Sequence, residues 1–285
     1  MSERQVRELL ARHGLAPHRD RGQNFLHDPK LAERLAREAG AGVGDRVIEV
    51  GTGLGILTRA LAERSARVTS IEVDAGLVRL LRDEALLPAS VELLHADARE
   101  VDLEALARRA DGPVRVVANL PYAVATPLLR RLLDLAGHLA SWSVLVQREL
   151  AERLMAPPGS RHCGSLSVLH ALVARMQRGL ALHPRCFYPV PAVRSTFVHM
   201  TPRPDAPRPA VLQRIEQLVR AAFGQRRKTL ANALRERLGL TLAQLAPPLE
   251  ALGLSPQLRA EVVPAEAWRS LAARLAPTGP PEEVR

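Results

Sequence analysis

The segment 119–122 joins an amide, a proline and a tyrosine to the end of an apolar run that is typical of a buried strand. An exocyclic base amine is a poor nucleophile, because its lone pair is delocalised into the ring. Asn119 Oδ1 and the Leu120 carbonyl could accept hydrogen bonds from both N–H groups of such an amine. Pro121 would hold the turn through its fixed φ, and Tyr122 would stack on an extruded base. The alternative is an ordinary turn, with Asn119 capping the backbone and Tyr122 packed on the core.

A glycine-rich turn occupies residues 49–55, between a predicted strand and a predicted helix. Gly51, Gly53 and Gly55 would let the backbone bend sharply and approach a ligand without a Cβ in the way. A tight turn without a ligand is the alternative for such a segment taken alone.

Two carboxylates at the ends of the following strands favour a ligand. Glu72 comes about 20 residues after Gly51, where an acidic residue can bind both hydroxyls of a ribose. Asp97 ends the third predicted strand, where it could accept from an adenine amine. Because the carboxyl ends of parallel strands share one edge of a sheet, these groups predict an adenosine site there.

The spacing of the turn decides between two adenosine cofactors. A dinucleotide fingerprint has the form G-x-G-x-x-G, whereas this turn has G-x-G-x-G with Glu49 just before it. The extra carboxylate suits a cationic amino-acid moiety better than a pyrophosphate. We therefore expect S-adenosylmethionine, bound in part by Glu49, Gly51, Gly53, Glu72 and Asp97, in preference to NAD.

The elements that must position these residues alternate regularly along the chain. Strands are predicted at 46–51, 67–74, 91–98, 114–120 and 141–147, with a helical segment between each pair and a further helix at 29–42. This rhythm predicts an α/β fold with a doubly wound parallel sheet.

The rhythm changes near residue 201. Four prolines in residues 201–209 predict a linker, and four helical segments follow it. We expect a catalytic domain at 1–204 and a small all-α domain at 205–285, with a disordered tail at 277–285.

Composition favours a nucleic-acid partner. The 285 residues carry a net charge of +10, which coding bias towards arginine does not explain, because such bias would not create an excess of basic over acidic residues. No apolar run reaches the length of a membrane span, and the charged N-terminus does not resemble a secretory signal. Cys163 and Cys186 have no metal-site spacing, and a cytoplasmic protein is expected.

A second basic feature lies in the helical segment. Arg226, Arg227 and Lys228 are consecutive between two predicted helices. We expect these three cations to bind RNA phosphates. A solvated helix face is the alternative.

The ordered set of motifs resembles the KsgA-type rRNA adenine N6,N6-dimethyltransferase family over nearly the whole chain. The matching segments are residues 22–26, 49–55, 119–122, 147–154, 164–168, 187–195 and 223–234. Thr52 departs from the pattern, since the family often has proline there. The segments 124–127 and 226–230 look more like the ribosome-biogenesis branch than the erythromycin-resistance methylases.

The resemblance implies roles that spacing alone does not give. Asn24 and Leu26 would line the cofactor site together with Asn119, and Phe187 would be a second aromatic against the target adenine. The fold would be the Rossmann-like class I S-adenosylmethionine-dependent methyltransferase sheet.

The implied substrate is a pair of adjacent adenosines in the 3′-terminal hairpin loop of 16S rRNA, within the precursor small ribosomal subunit. Each would receive two methyl groups, and we expect the enzyme to be a monomer. A non-catalytic RNA-binding assembly or transcription factor on a methyltransferase scaffold is the alternative of another class.

Overall fold

The computed structural model describes residues 1–18, 22–65, 67–109, 112–120 and 122–275, with the backbone alone at residues 122 and 123. Nine strands lie in these ranges: β1 (Phe25–Leu26), β2 (Arg46–Val50), β3 (Arg67–Glu72), β4 (Val91–His95), β5 (Val114–Asn119), β6 (Ser141–Gln147), β7 (Ala174–Leu182), β8 (Phe187–Tyr188) and β9 (Ser195–Pro202). The helices are α1 (Glu3–Arg12), α2 (Pro29–Glu38), α3 (Ile56–Ala62), α4 (Ala75–Asp83), α5 (Leu103–Arg108), α6 (Tyr122–Asp134), α7 (Arg148–Leu154), α8 (Ser165–Val173), α9 (Pro209–Phe223), α10 (Leu230–Leu238), α11 (Leu242–Glu250) and α12 (Ala265–Arg274).

The main sheet has the strand order β4-β3-β2-β5-β6-β9-β7. The five strands from β4 to β6 are parallel, which confirms the predicted α/β class. The sheet is mixed rather than wholly parallel, because β9 runs antiparallel to β6, and neither β7 nor β9 was predicted. A separate two-stranded ribbon pairs β1 with β8 in antiparallel fashion.

The strand order reverses between β2 and β5. The chain moves from β2 outwards to β3 and β4, then returns to β5 on the other side of β2. Ligands of doubly wound sheets bind in the crevice that such a reversal leaves at the carboxyl ends of the strands. The residues after Val50 and at Asn119, which end β2 and β5, therefore meet at this crevice.

Buried apolar side chains of the central strands fix these positions. Val47 on β2, Val117 on β5 and Leu145 on β6 are all almost completely buried in one core cluster. Burying one such side chain stabilises a fold by about 1.5–3 kcal/mol, so the strand ends are held by the core beneath them.

The described chain divides into two compact units. One comprises residues 1–151 and 175–202, and the other comprises residues 152–174 and 203 onwards. Each predicted domain is one continuous segment, with the boundary after residue 204. The structure instead groups α8, which lies before that boundary, with the C-terminal helices. The predicted linker is short, because β9 reaches Pro202 and α9 begins at Pro209. The predicted disordered tail lies outside the described residues.

Within the part of the chain that the structure describes, we find no helix that is both long and apolar enough to cross a bilayer.

Candidate active site

A cavity of about 410 Å³ opens at the reversal between β2 and β5. It is lined by nine of the residues predicted to bind cofactor or base: Asn24, Leu26, Gly51, Gly53, Glu72, Asp97, Asn119, Leu120 and Phe187. The structure thus brings together residues from the ends of β2, β3, β4 and β5, from the N-terminal segment and from β8.

The glycine turn has the backbone conformation that its sequence predicted. Gly51 and Gly53 have φ values of +87° and +56°, in the left-handed region that favours glycine. A Cβ on Gly51 would lie 3.3 Å from the Asn119 carbonyl oxygen, and a Cβ on Gly53 would lie 3.3 Å from Phe25 Cδ1. The two glycines therefore let the turn pass close to β5 and to β1.

Glu72 is tied to the glycine turn. Its Oε2 accepts a hydrogen bond from the Gly53 N–H at 2.9 Å, and its Oε1 accepts from the Asp74 N–H at 3.0 Å. Burial raises the pKa of Glu72, while these two donors oppose that rise. Each oxygen keeps a lone pair for a ligand, as binding of two vicinal hydroxyls requires.

Asp97 is engaged by a residue that sequence reasoning missed. Its carboxylate forms an ion pair with Arg99 that includes two hydrogen bonds. Asp97 Oδ2 accepts from Arg99 Nη2 at 2.6 Å and from Arg99 Nε at 3.0 Å. Hydrogen bonds from Arg99 lower the pKa of Asp97. Arg99 also lines the cavity, and its place two residues after a candidate ligand was the signal available in the sequence.

Glu49 lies behind the cavity rather than in its wall. The side chain is completely buried, and its Oε2 accepts from the Ser70 hydroxyl at 2.6 Å. Burial raises the pKa of Glu49 from 4.5 to about 7, and the Ser70 hydrogen bond opposes that rise. The residue was predicted to bind the cofactor, but this position gives it no surface on the cavity.

Asn119 faces the N-terminal segment across the cavity. Its Nδ2 donates to the Asn24 carbonyl oxygen at 3.3 Å, while the Asn24 side chain donates to the Gly22 carbonyl at 3.0 Å. One of its two amide N–H groups is thus used on Asn24, and Oδ1 is the only side-chain atom that can accept from a ligand.

Phe187 and Leu26 are register partners in the β1–β8 ribbon. Both side chains are buried, and both line the cavity. The ribbon thereby places Phe187, which is expected to contact the target adenine, next to Leu26, which is expected to line the cofactor site. Pro121 and the Tyr122 side chain, to which we gave turn and stacking roles, lie outside the described residues.

The basic cluster 226–228 lies in the turn before α10, and its members differ in their contacts. Arg226 Nη2 donates to the carbonyls of Arg161 and Cys163, at 3.0 and 3.1 Å. Lys228 forms an ion pair with Glu236. Among the described residues, Arg227 is exposed and has no hydrogen-bond or ion-pair partner.

Comparisons with solved structures support the fold. A 23S rRNA methyltransferase, ErmE, superposes with a TM-score of 0.65 at 25% identity, covering 88% of this chain and 99% of that one. A dimethyladenosine transferase from Plasmodium falciparum gives a TM-score of 0.70 at 19% identity, with 87% and 95% covered. The second likeness bears on the fold alone. Together they confirm a class I methyltransferase sheet with a helical C-terminal part.

Sequence comparisons reach closer relatives. A protein of Magnetococcus marinus named ribosomal RNA small subunit methyltransferase A is 40% identical over 282 residues, 97% of this chain and 98% of its own. One of the same name from Rhodospirillum rubrum is 40% identical over 269 residues, 94% and 91% of the two chains. The sequence model of the family described as ribosomal RNA adenine dimethylase matches residues 15–276. The chain therefore belongs to the ribosomal RNA adenine dimethylase family and is a methyltransferase.

Proposed function

We propose that the protein transfers methyl groups from S-adenosylmethionine to the N6 amines of two adjacent adenosines in the 3′-terminal hairpin loop of 16S rRNA. The observation that carries this proposal is the shared cavity, in which the Asn119 amide lies with the glycine turn and Glu72. An acceptor for an amine and a frame for an adenosine cofactor are thereby within one small volume.

The residues present fit S-adenosylmethionine, which would supply an electrophilic methyl group. Glu72 offers two oxygens to the ribose hydroxyls, and Asp97 offers an acceptor to the adenine amine. The acidic groups in and behind the cavity, Glu72, Asp97 and Glu49, suit a cationic ligand. A dinucleotide would place two phosphates near these carboxylates, which is unfavourable electrostatically.

The chain's own contribution to the reaction is mainly positioning. Asn119 Oδ1 and the Leu120 carbonyl would accept from the two N–H groups of the base, favouring a pyramidal nitrogen whose lone pair is directed at the methyl carbon. Phe187 would pack against the base, and we propose the same for Tyr122. The chain need not supply a strong base, because the amine becomes acidic once it is alkylated.

We further propose the precursor small ribosomal subunit in the cytoplasm as the partner, bound through RNA phosphates by residues 226–228. Arg227 is the member best placed to contact a phosphate directly, because the other two already have protein partners. We expect the protein to be a monomer.

The test is transfer of labelled methyl groups from S-adenosylmethionine to small subunits that lack the modification. We expect dimethyladenosine in the product, at two adjacent positions, and no transfer to subunits that already carry it. Absence of transfer, together with absence of cofactor binding in calorimetry, would favour a non-catalytic RNA-binding protein instead.

A further inference from the structure

Three buried polar side chains form a continuous hydrogen-bonded chain at the floor of the cavity. Thr52 Oγ1 lies 2.6 Å from Ser70 Oγ, and Ser70 Oγ donates to Glu49 Oε2 at 2.6 Å. Thr52 lines the cavity, whereas Glu49 does not. Thr52 is therefore the member of this chain that borders the cavity.

The number of available protons fixes which group donates in each of these hydrogen bonds when Glu49 is ionised. A serine hydroxyl has one proton, and that of Ser70 is used on the Glu49 carboxylate. Thr52 must then donate its own proton to Ser70, so that the Thr52 oxygen keeps only lone pairs for any other partner. If Glu49 takes up a proton on Oε2, each donor can reverse, and the Thr52 hydroxyl proton is freed from Ser70 for another acceptor.

We propose that Thr52 and Ser70 are positioning residues that transmit the charge of Glu49 to the cofactor cavity. Ionised Glu49 makes the cavity wall an acceptor and favours a cationic ligand. Protonated Glu49 makes the wall a donor and removes that preference. The inference rests on S-adenosylmethionine being the cofactor, as proposed above. A proline in place of Thr52 has no hydroxyl and could not make the hydrogen bond to Ser70.

The surroundings of Glu49 contain few other charges. On β3 the charged neighbour is Glu72, which raises the pKa of Glu49 by repulsion. On β5 the residue opposite Glu49 is Val117, and α3 presents the hydroxyl of Thr58. Burial is the main cause that raises the pKa of Glu49 to about 7. An incoming cation should therefore lower the pKa of Glu49 and expel its proton.

The expected signature is proton release on binding. With a pKa of about 7 in the free protein, Glu49 would release about half a proton per cofactor at pH 7. Cofactor affinity should fall roughly five- to tenfold between pH 8 and pH 6, with a midpoint near 7. The amino group of the cofactor also titrates, so Glu49→Gln serves as the reference that retains the ligand's contribution and lacks that of Glu49.

The experiment is isothermal titration of S-adenosylmethionine into the full chain, from pH 5.5 to 8.5, in buffers of different ionisation enthalpy. Ser70→Ala should move the midpoint upwards by about one to two pH units, because it removes a hydrogen bond to a charged group. Thr52→Val removes the hydrogen bond between Thr52 and Ser70, and we expect the midpoint to rise by about half a pH unit. Thr52→Ser should restore the wild-type midpoint.

Three outcomes would overturn the proposal in distinguishable ways. If wild type binds no S-adenosylmethionine, the proposed function fails and this inference fails with it. If wild type binds with the same proton release as Glu49→Gln, Glu49 does not take part. If Thr52→Val weakens binding equally at every pH, the hydroxyl is merely structural. Should Ser70→Ala fail to fold, the Thr52→Val and Thr52→Ser pair still decides the matter.

Discussion

The side-chain amide of Asn119 donates to the main-chain carbonyl of Asn24 at 3.3 Å, and this contact joins the end of β5 to the N-terminal segment. The bond matters because an amide can turn about its last torsion and present either N–H or oxygen to a ligand. With Nδ2 held by the Asn24 carbonyl, Oδ1 remains as the side-chain acceptor that an amine requires.

We expect Asn119→Ala to lower the rate constant of methyl transfer by about 10²–10³-fold, the usual cost of removing one preorganised polar group from a reacting centre. Asn119→Asp should be similarly impaired, because a carboxylate has no N–H for the Asn24 carbonyl and would be repelled by it. Single-turnover methyl transfer to unmodified small subunits measures both. Asn232→Ala, on α10, is the matched control, and full activity in Asn119→Ala would contradict the assignment.

Replacing Glu49 should change how stability depends on pH. Burial raises the pKa of Glu49 from 4.5 to about 7, so the folded protein binds this proton more tightly than the unfolded chain does. The resulting stabilisation is present below about pH 4.5 and is lost as the pH rises through about 7. It is worth about 3 kcal/mol in all.

Glu49→Gln has no titrating carboxyl at this position. We therefore expect the free energy of unfolding of Glu49→Gln to increase relative to that of wild type as the pH rises. Urea denaturation of both proteins without cofactor, at pH 5 and pH 8, measures this difference. Parallel behaviour of the two proteins would show that Glu49 titrates normally.

Arg99→Met should tighten cofactor binding. In the free protein Arg99 occupies lone pairs of Asp97 that an adenine amine would need, and its positive charge also opposes a cationic ligand. Because the Arg99 side chain is 57% exposed, the ion pair is weak, and we expect a gain of about two- to fivefold in affinity.

The gain in Arg99→Met should shrink as salt is added, since salt screens the wild-type ion pair. Arg34→Met, an exposed arginine on α2 that does not line the cavity, is the matched control in the same calorimetric titration. Weaker binding in Arg99→Met would instead mean that the guanidinium supports the bound cofactor.

Single substitutions should separate the members of the 226–228 cluster. Arg227→Ala should weaken binding to small subunits and reduce the salt slope of the affinity by about 1, with unchanged thermal stability. Arg226→Ala leaves the carbonyls of Arg161 and Cys163 without their donor, and should cost about 0.5–1.5 kcal/mol of stability. Filter binding and thermal melts distinguish the two effects, and equal effects on stability would refute the division.

Local sequence patterns were sufficient for the elements whose own residues determine them. The predicted strand 141–147 agrees with β6, where all side chains but the last are buried. The edge strand β7 was not predicted, because Arg175, Gln177 and Arg178 interrupt its apolar pattern and pairing with β9 decides its conformation. The helix predicted after the basic residues 226–228 begins at Leu230, since Thr229 caps it through a bond from the Asn232 N–H.

The candidate site shows the same division. Gly51, Glu72 and Asn119 could be placed at one edge from the order of strands alone, because parallel strands end together. The burial of Glu49 and the ion pair of Asp97 with Arg99 depend on side-chain packing and rotamers. No spacing rule encodes these, and they decide which groups are free to meet a ligand.

The β1–β8 ribbon has a thermodynamic consequence. It ties the segment after Asn24 to the segment of Phe187 through paired backbones. A ligand that shifts or orders one strand must shift or order the other, so the two halves of the site share a single conformational equilibrium. Such coupling is reciprocal. If bound cofactor raises the affinity of the protein for RNA through this ribbon, bound RNA must raise its affinity for cofactor by the same factor.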